Sequence, residues 1–151
     1  MDEVQFEQAM KFAIVKEEEA AKLYARMANV AADVQAKSFL LEMSREEEKH
    51  RQMLEELQAR GHAERISFAQ PLDLKIVEYL QPAQLDPNMS YRDALLYAAN
   101  REKEAAAYYQ HMAGIVADET AKELFAGLAK WELSHKLRVE EEYERHFMPE
   151  N

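Results

Sequence analysis

Residues 17–50 read EEEAAKLYARMANVAADVQAKSFLLEMSREEEKH, and residues 102–135 read EKEAAAYYQHMAGIVADETAKELFAGLAKWELSH. Set one above the other, 85 residues apart and without a gap, they match at Glu17 and Glu102, Ala20 and Ala105, Tyr24 and Tyr109, and Met27 and Met112. The match continues through Asp33 and Asp118, Lys37 and Lys122, Glu47 and Glu132, and His50 and His135. A helix-forming composition raises chance identities, but it does not make turn residues and histidines coincide. The repeat predicts an internal duplication, with two similar halves related by a pseudo-twofold axis.

Each half reads as a helical hairpin. From Val4 to Ala28, apolar residues recur at three and four (Phe6, Met10, Ala13, Ile14, Ala20, Leu23, Tyr24, Met27), the period of an amphipathic helix. Asn29 is suited to a left-handed helix end, and Asp33 to accepting from the first free amides of a second helix. That helix carries Ala36, Phe39, Leu40, Met43, Glu47, His50, Leu54 and Leu57 on its stripe and is expected to stop at Gly61. Three of the four prolines (Pro71, Pro82, Pro87) then break the pattern, with only a short apolar piece around Leu72 to Leu80. Ser90, with Asp93 three residues on, opens a third helix that is expected to end at Gly114, and Asp118 opens a fourth that runs to about His146. The expectation is an all-α four-helix bundle: hairpin one over about 4–61, a long crossover over about 62–89, and hairpin two over about 90–147.

The 151 residues suit one domain with a continuous core. With no cysteine, disulfides and thiolate metal sites are excluded, so any metal must sit on oxygen and nitrogen. The formal net charge of −10 argues against partners bound through nucleic-acid phosphates and is compatible with collecting cations or simply with solubility. Met1, Asp2 and Glu3 do not open a targeting segment and no run is long enough for a membrane span, so a soluble, cytoplasmic protein is expected.

Residues three apart share a helix face, so Glu47 with His50, and Glu132 with His135, can each point at one centre. In an antiparallel hairpin, residues equidistant from the turn lie level. The midpoint of 17 and 47 is 32 and that of 102 and 132 is 117, both in the expected turns. Glu17 therefore faces Glu47 and His50, and Glu102 faces Glu132 and His135, each about 15 residues or roughly 22 Å along its helix from the turn. Four carboxylates buried together must protonate or find cations, and two divalent ions would neutralise them. Oxygen-rich donors with one imidazole per metal suit iron or manganese, and zinc remains open on ligand type.

Glu17-x-x-Ala20-x-x-x-Tyr24 and Glu47-x-x-His50, repeated as Glu102-x-x-Ala105-x-x-x-Tyr109 and Glu132-x-x-His135, resemble the ferritin-like superfamily and, within it, the rubrerythrins. The resemblance covers all four helices. It implies two iron ions bridged by Glu47 and Glu132, with Glu17, His50, Glu102 and His135 as terminal ligands. It also implies reaction with hydrogen peroxide or dioxygen. Rubrerythrins usually add a cysteine-ligated iron domain; without cysteine here, an external electron donor is implied. Ala105 stands one turn after Glu102, where rubrerythrins tend to place an additional glutamate, and Glu104 reads as facing away. Tyr24 and Tyr109 are within reach of the bridging carboxylates or are ordinary core tyrosines. Trp131 is expected in the core or at an interface, His62, His111 and His146 at the surface, and the methionines in packing. In the runs Glu17 to Glu19, Glu46 to Glu48 and Glu140 to Glu142, at most one member is expected to turn inward. Two further functions stay open: a ferroxidase or iron-storage protein in a homodimer or larger homo-oligomer, and a metal-free structural bundle.

Overall fold

The computed structural model describes residues 2–60 and 89–148. They form α1 (Asp2–Asn29), α2 (Val34–Arg60), α3 (Tyr91–Ile115) and α4 (Glu119–Phe147). The expected stop at Gly61, nearly all of the expected crossover, and His62 lie outside the described residues. No helix among the described residues is long and apolar enough to cross a membrane.

The helix starts follow the aspartates and the serine that the sequence offers. Asp33 Oδ1 accepts from the Ala36 amide at 2.7 Å, Asp118 Oδ2 from the Ala121 amide at 3.0 Å, and the Ser90 hydroxyl from the Asp93 amide at 3.1 Å. Each satisfies an amide that the first helical turn leaves without a partner. The helix ends differ from expectation. No described residue has a positive φ. Helix α1 closes by a tightened turn, with the Val30 amide donating to the Met27 carbonyl at 3.1 Å, so Asn29 needs no left-handed conformation. Helix α3 continues through Gly114 to Ile115 and unwinds at Val116 (φ −74°, ψ 147°), whose amide donates to the Met112 carbonyl. An extended residue ends this helix, not the glycine.

Helices α1 and α2 pair antiparallel, with Ser44 Oγ donating to the Ala21 carbonyl at 2.7 Å, and so do α3 and α4, with Tyr91 donating to Glu142 at 2.9 Å. Between hairpins, Tyr24 of α1 reaches Glu102 of α3 while Tyr109 of α3 reaches Glu17 of α1, so these two helices are also antiparallel. The paired contacts of His50 with Glu132 and of His135 with Glu47 say the same of α2 and α4. It follows that α2 and α3 run parallel, and that Arg60 and Met89 stand at opposite ends of a ferritin-like four-helix bundle.

The core comes in two apolar blocks. Phe6, Met10, Leu54, Leu57, Tyr108, Met112, Phe125 and Leu128 fill the end near Val116. Leu23, Met27, Leu40, Met43, Leu95 and Val139 fill the end near Asp33. Each large side chain removed from water contributes on the order of 1.5–3 kcal/mol. Along every helix the two blocks are separated by one charged stretch: Glu17 on α1, Glu47 and His50 on α2, Glu102 on α3, Glu132 and His135 on α4. The apolar ends thus hold a polar layer at mid-height.

Because an added Cβ at Gly114 meets nothing within 4 Å and its φ is not positive, G114A is expected to stabilise the protein by about 0.5–1 kcal/mol in urea unfolding. A loss of stability would restore glycine to the helix-ending role.

Candidate metal centre

All six residues singled out in the sequence meet in the polar layer. Glu17, Glu47, Glu102, Glu132 and His135 are fully buried and His50 is nearly so. His50 Nδ1 lies 3.1 Å from Glu132 Oε1 and 3.8 Å from both Glu17 Oε2 and Glu47 Oε2. His135 Nδ1 lies 2.7 Å from Glu47 Oε1 and 3.8 Å from both Glu102 Oε1 and Glu132 Oε2. The two imidazoles stack at the middle, centroids 5.5 Å apart and 16° from parallel.

Two donor clusters result. In one, ligand atoms of Glu17, Glu47, His50 and Glu132 lie within 4.8 Å of one another; in the other, those of Glu47, Glu102, Glu132 and His135 do. Ions held at about 2.0–2.2 Å from each donor fit such spacings. Glu47 and Glu132 belong to both clusters. One oxygen on each of the four carboxylates, Oε2 of Glu17, Glu47, Glu102 and Glu132, has no hydrogen-bond partner. Four orphaned acceptors in one buried layer are what a pair of cations would satisfy, and the residues fit a dinuclear site.

Without cations the layer neutralises itself with protons. Burial, and then the charges of Glu102 and Glu17, push the Glu47 carboxyl up to about 8. Burial and the charges of Glu102, Glu17 and Glu47 push Glu132 well above the usual range. Burial also opposes ionisation of Glu17 and Glu102, but a neighbouring carboxyl, the facing imidazole and Arg101 overcome it, leaving Glu17 well below the usual range and Glu102 at about 2. Burial opposes charge on the imidazoles, yet Glu17 and Glu47 hold His50 up at about 9, and Glu102 and Glu47 hold His135 at about 10. Near pH 7, two carboxylates therefore face two imidazoliums.

The tyrosines bond carboxylates across the hairpins. Tyr24 donates to Glu102 Oε1 at 2.6 Å and Tyr109 to Glu17 Oε1 at 2.5 Å, glutamates of the opposite hairpin, where Glu47 and Glu132 or an ordinary core position were expected. Antiparallel packing of α1 on α3 brings each tyrosine level with the glutamate of the opposite helix. Burial and the charges of Glu102 and Glu47 raise the Tyr24 hydroxyl, which stays a donor.

Other positions depart further from expectation. Of the two places expected for Trp131, core or interface, the core is excluded: it is 49% exposed, its ring 6.2 Å from His50 and 6.3 Å from His135. His146 is half-buried beside Glu142 at 2.7 Å and against Tyr91, and His111 is also half-buried; neither joins the donor clusters. In the run Glu46 to Glu48 two members turn inward, because Glu46 Oε2 lies 2.5 Å from His135 Nε2. Arg101 was not legible as a site residue either. It is buried, places Nη1 4.0 Å from Glu102 Oε1 and donates from Nη2 to the Lys16 carbonyl. The repeat held a signal for it, since Lys16 and Arg101 are matched basic residues directly before matched glutamates. Glu104 is exposed, as expected, and Met10, Met27, Met43 and Met112 pack in the core.

A two-hairpin helical bundle with a Glu/His dinuclear donor set defines the class of ferritin-like carboxylate proteins. The rubrerythrin family model matches residues 8–143, and the chain belongs to that family. A hypothetical protein from Pyrococcus furiosus is similar in structure, with a TM-score of 0.70 and 25% sequence identity over 91% of this chain and 87% of that one. No protein with a curated description matches the chain.

At pH 7, Glu47, Glu132, His50 and His135 carry protons that metal ligation must displace. Uptake of two divalent ions is expected to release about four protons, leaving the layer neutral before and after, and metal affinity should fall as pH drops. Calorimetric titrations in buffers of different ionisation enthalpy measure the release; a value near zero would contradict this ligand set.

Proposed function

We propose that the chain is a non-haem diiron-carboxylate oxidoreductase of rubrerythrin type that reduces hydrogen peroxide or dioxygen. The observation that carries this reading is the convergence of four half-satisfied buried carboxylates on two inward-facing imidazole nitrogens. Glu47 and Glu132, shared by both clusters, would serve both ions, and Glu17 with His50, and Glu102 with His135, would complete the two ends. Two ferrous ions held there would supply two electrons, which with two protons would reduce one hydrogen peroxide to two waters. Manganese suits the same donors, and zinc would bind without redox chemistry.

The protein's own groups set the conditions. Tyr24 and Tyr109 hold Oε1 of Glu102 and of Glu17, leaving Oε2 of each without a hydrogen-bond partner. The apolar blocks above and below exclude water, which strengthens every charge interaction within the layer. Beside the centre, a groove of about 150 Å³ between α2 and α4, lined by Glu46, Lys49, His50, Met53 and Trp131, admits molecules of the size of peroxide. No cysteine occurs in these 151 residues, so the electrons that would return the centre to its reduced form come from outside them.

Protein reconstituted anaerobically with ferrous iron is expected to hold about two irons per chain by elemental analysis, and H50A or H135A to lose on the order of half of that while H111A loses none. A near-ultraviolet band that grows faster with peroxide than with air supports the peroxidase. Faster growth with air favours an oxidase or a ferroxidase, and no bound iron would overturn the reading.

A further inference from the structure

The internal repeat makes the two ends of the centre near copies, but among the positions where it differs is one that touches an imidazole. Residue 46 is glutamate and its repeat mate, residue 131, is tryptophan. The consequence falls on the outer nitrogens of the two imidazoles. His135 turns Nδ1 to the centre and Nε2 to Glu46 Oε2, at 2.5 Å. The same carboxylate oxygen is 3.4 Å from Arg138 Nη1, and Glu46 is mostly shielded, its side chain 18% exposed. His50 also turns Nδ1 inward. Among the described residues no carboxylate is paired with its Nε2; Trp131, which stands at Glu46's place in the repeat, has its ring 6.2 Å from that of His50 and 6.3 Å from that of His135, and the groove opens beside His50.

We propose that Glu46 is a positioning residue that makes the two metal positions unequal: by holding Nε2–H of His135 it builds a tight position at Glu102/His135, while Glu17/His50 forms a weaker, groove-facing one. The inference rests on the metal-centre reading above. A carboxylate on the outer N–H fixes the tautomer and the ring plane and makes the inner nitrogen a stronger donor, so the ion meets a ligand already in place. Removing such a partner lowers metal affinity by about 10–100-fold. His50 lacks a carboxylate partner on that outer nitrogen, so its ring is held only by its inner contact with Glu132 and by the aromatic packing that both imidazoles share. The order of filling follows: the first ion takes the His135 position and the second the His50 position. The second is also the end that lies against the groove, where small molecules arrive.

Anaerobic titration with cobalt(II), followed by visible absorption and calorimetry, reads the steps separately. The intact protein is expected to take up two ions in steps separated by about tenfold or more. E46A should weaken only the tighter step by about 10–100-fold, merging the two, whereas E46Q, which keeps an acceptor oxygen, should restore part of the separation. R138A, which removes the neighbouring cation but leaves the Glu46 to His135 contact, should keep the tight step, and circular dichroism checks that each variant remains folded. W131E, at a half-exposed position, should give His50 the missing partner and tighten the weaker step. Two cobalt ions bound with equal affinity, or an E46A titration unchanged or shifted equally in both steps, would overturn the inference and leave the metal centre standing. No cobalt uptake by the intact protein would remove both.

Discussion

Four carboxylates and two imidazoles share one buried layer, and the rest of the bundle is arranged around that constraint. Bringing four carboxylates out of water without compensation is prohibitive, since each isolated charge costs several kcal/mol even after relaxation. The layer meets this in two alternative ways. With protons alone, two carboxyls are neutral and two carboxylates face two imidazoliums. With two divalent ions, four carboxylates and two neutral imidazoles give the same zero sum. Such a layer can exchange protons for metal without changing its net charge, and this allows a charged centre to sit between two dry apolar blocks.

The antiparallel packing of all four neighbouring helix pairs does the positioning. Each hairpin brings a glutamate of its first helix level with the Glu-x-x-His of its second, and the contacts between hairpins then cross-link the two halves. Tyr24 and Tyr109 are the clearest case: each belongs to one hairpin and orients the carboxylate of the other. The imidazoles cross over as well, His50 toward Glu132 and His135 toward Glu47. Neither half has a complete donor cluster by itself: each cluster takes residues from both hairpins.

The features legible in the sequence were those set within one hairpin. Apolar period, the capping residues Asp33, Ser90 and Asp118, and equal distances from the turns placed the four helices and all six donor residues. What escaped depended on register between hairpins, which neither period nor spacing encodes. The tyrosines were referred to Glu47 and Glu132, or to ordinary core positions, because only their own hairpin could be seen. Glu46 was hidden within an acidic run that ordinarily marks a solvated face, and its contact with His135 exists only once α2 and α4 are packed. Trp131 has the composition of a core residue but lies at the edge of the groove between those helices. Gly114 carried the usual helix-ending signal, yet the chain had an extended residue, Val116, two positions later to make the turn.

Crystals soaked anaerobically with ferrous iron and measured at the iron absorption edge test the central claim most directly. The account predicts two anomalous peaks roughly 3.5–4 Å apart, one on each side of Glu47 and Glu132, one beside His50 and the other beside His135. No peak in the layer, or a single peak at a site that omits the shared glutamates, would contradict it.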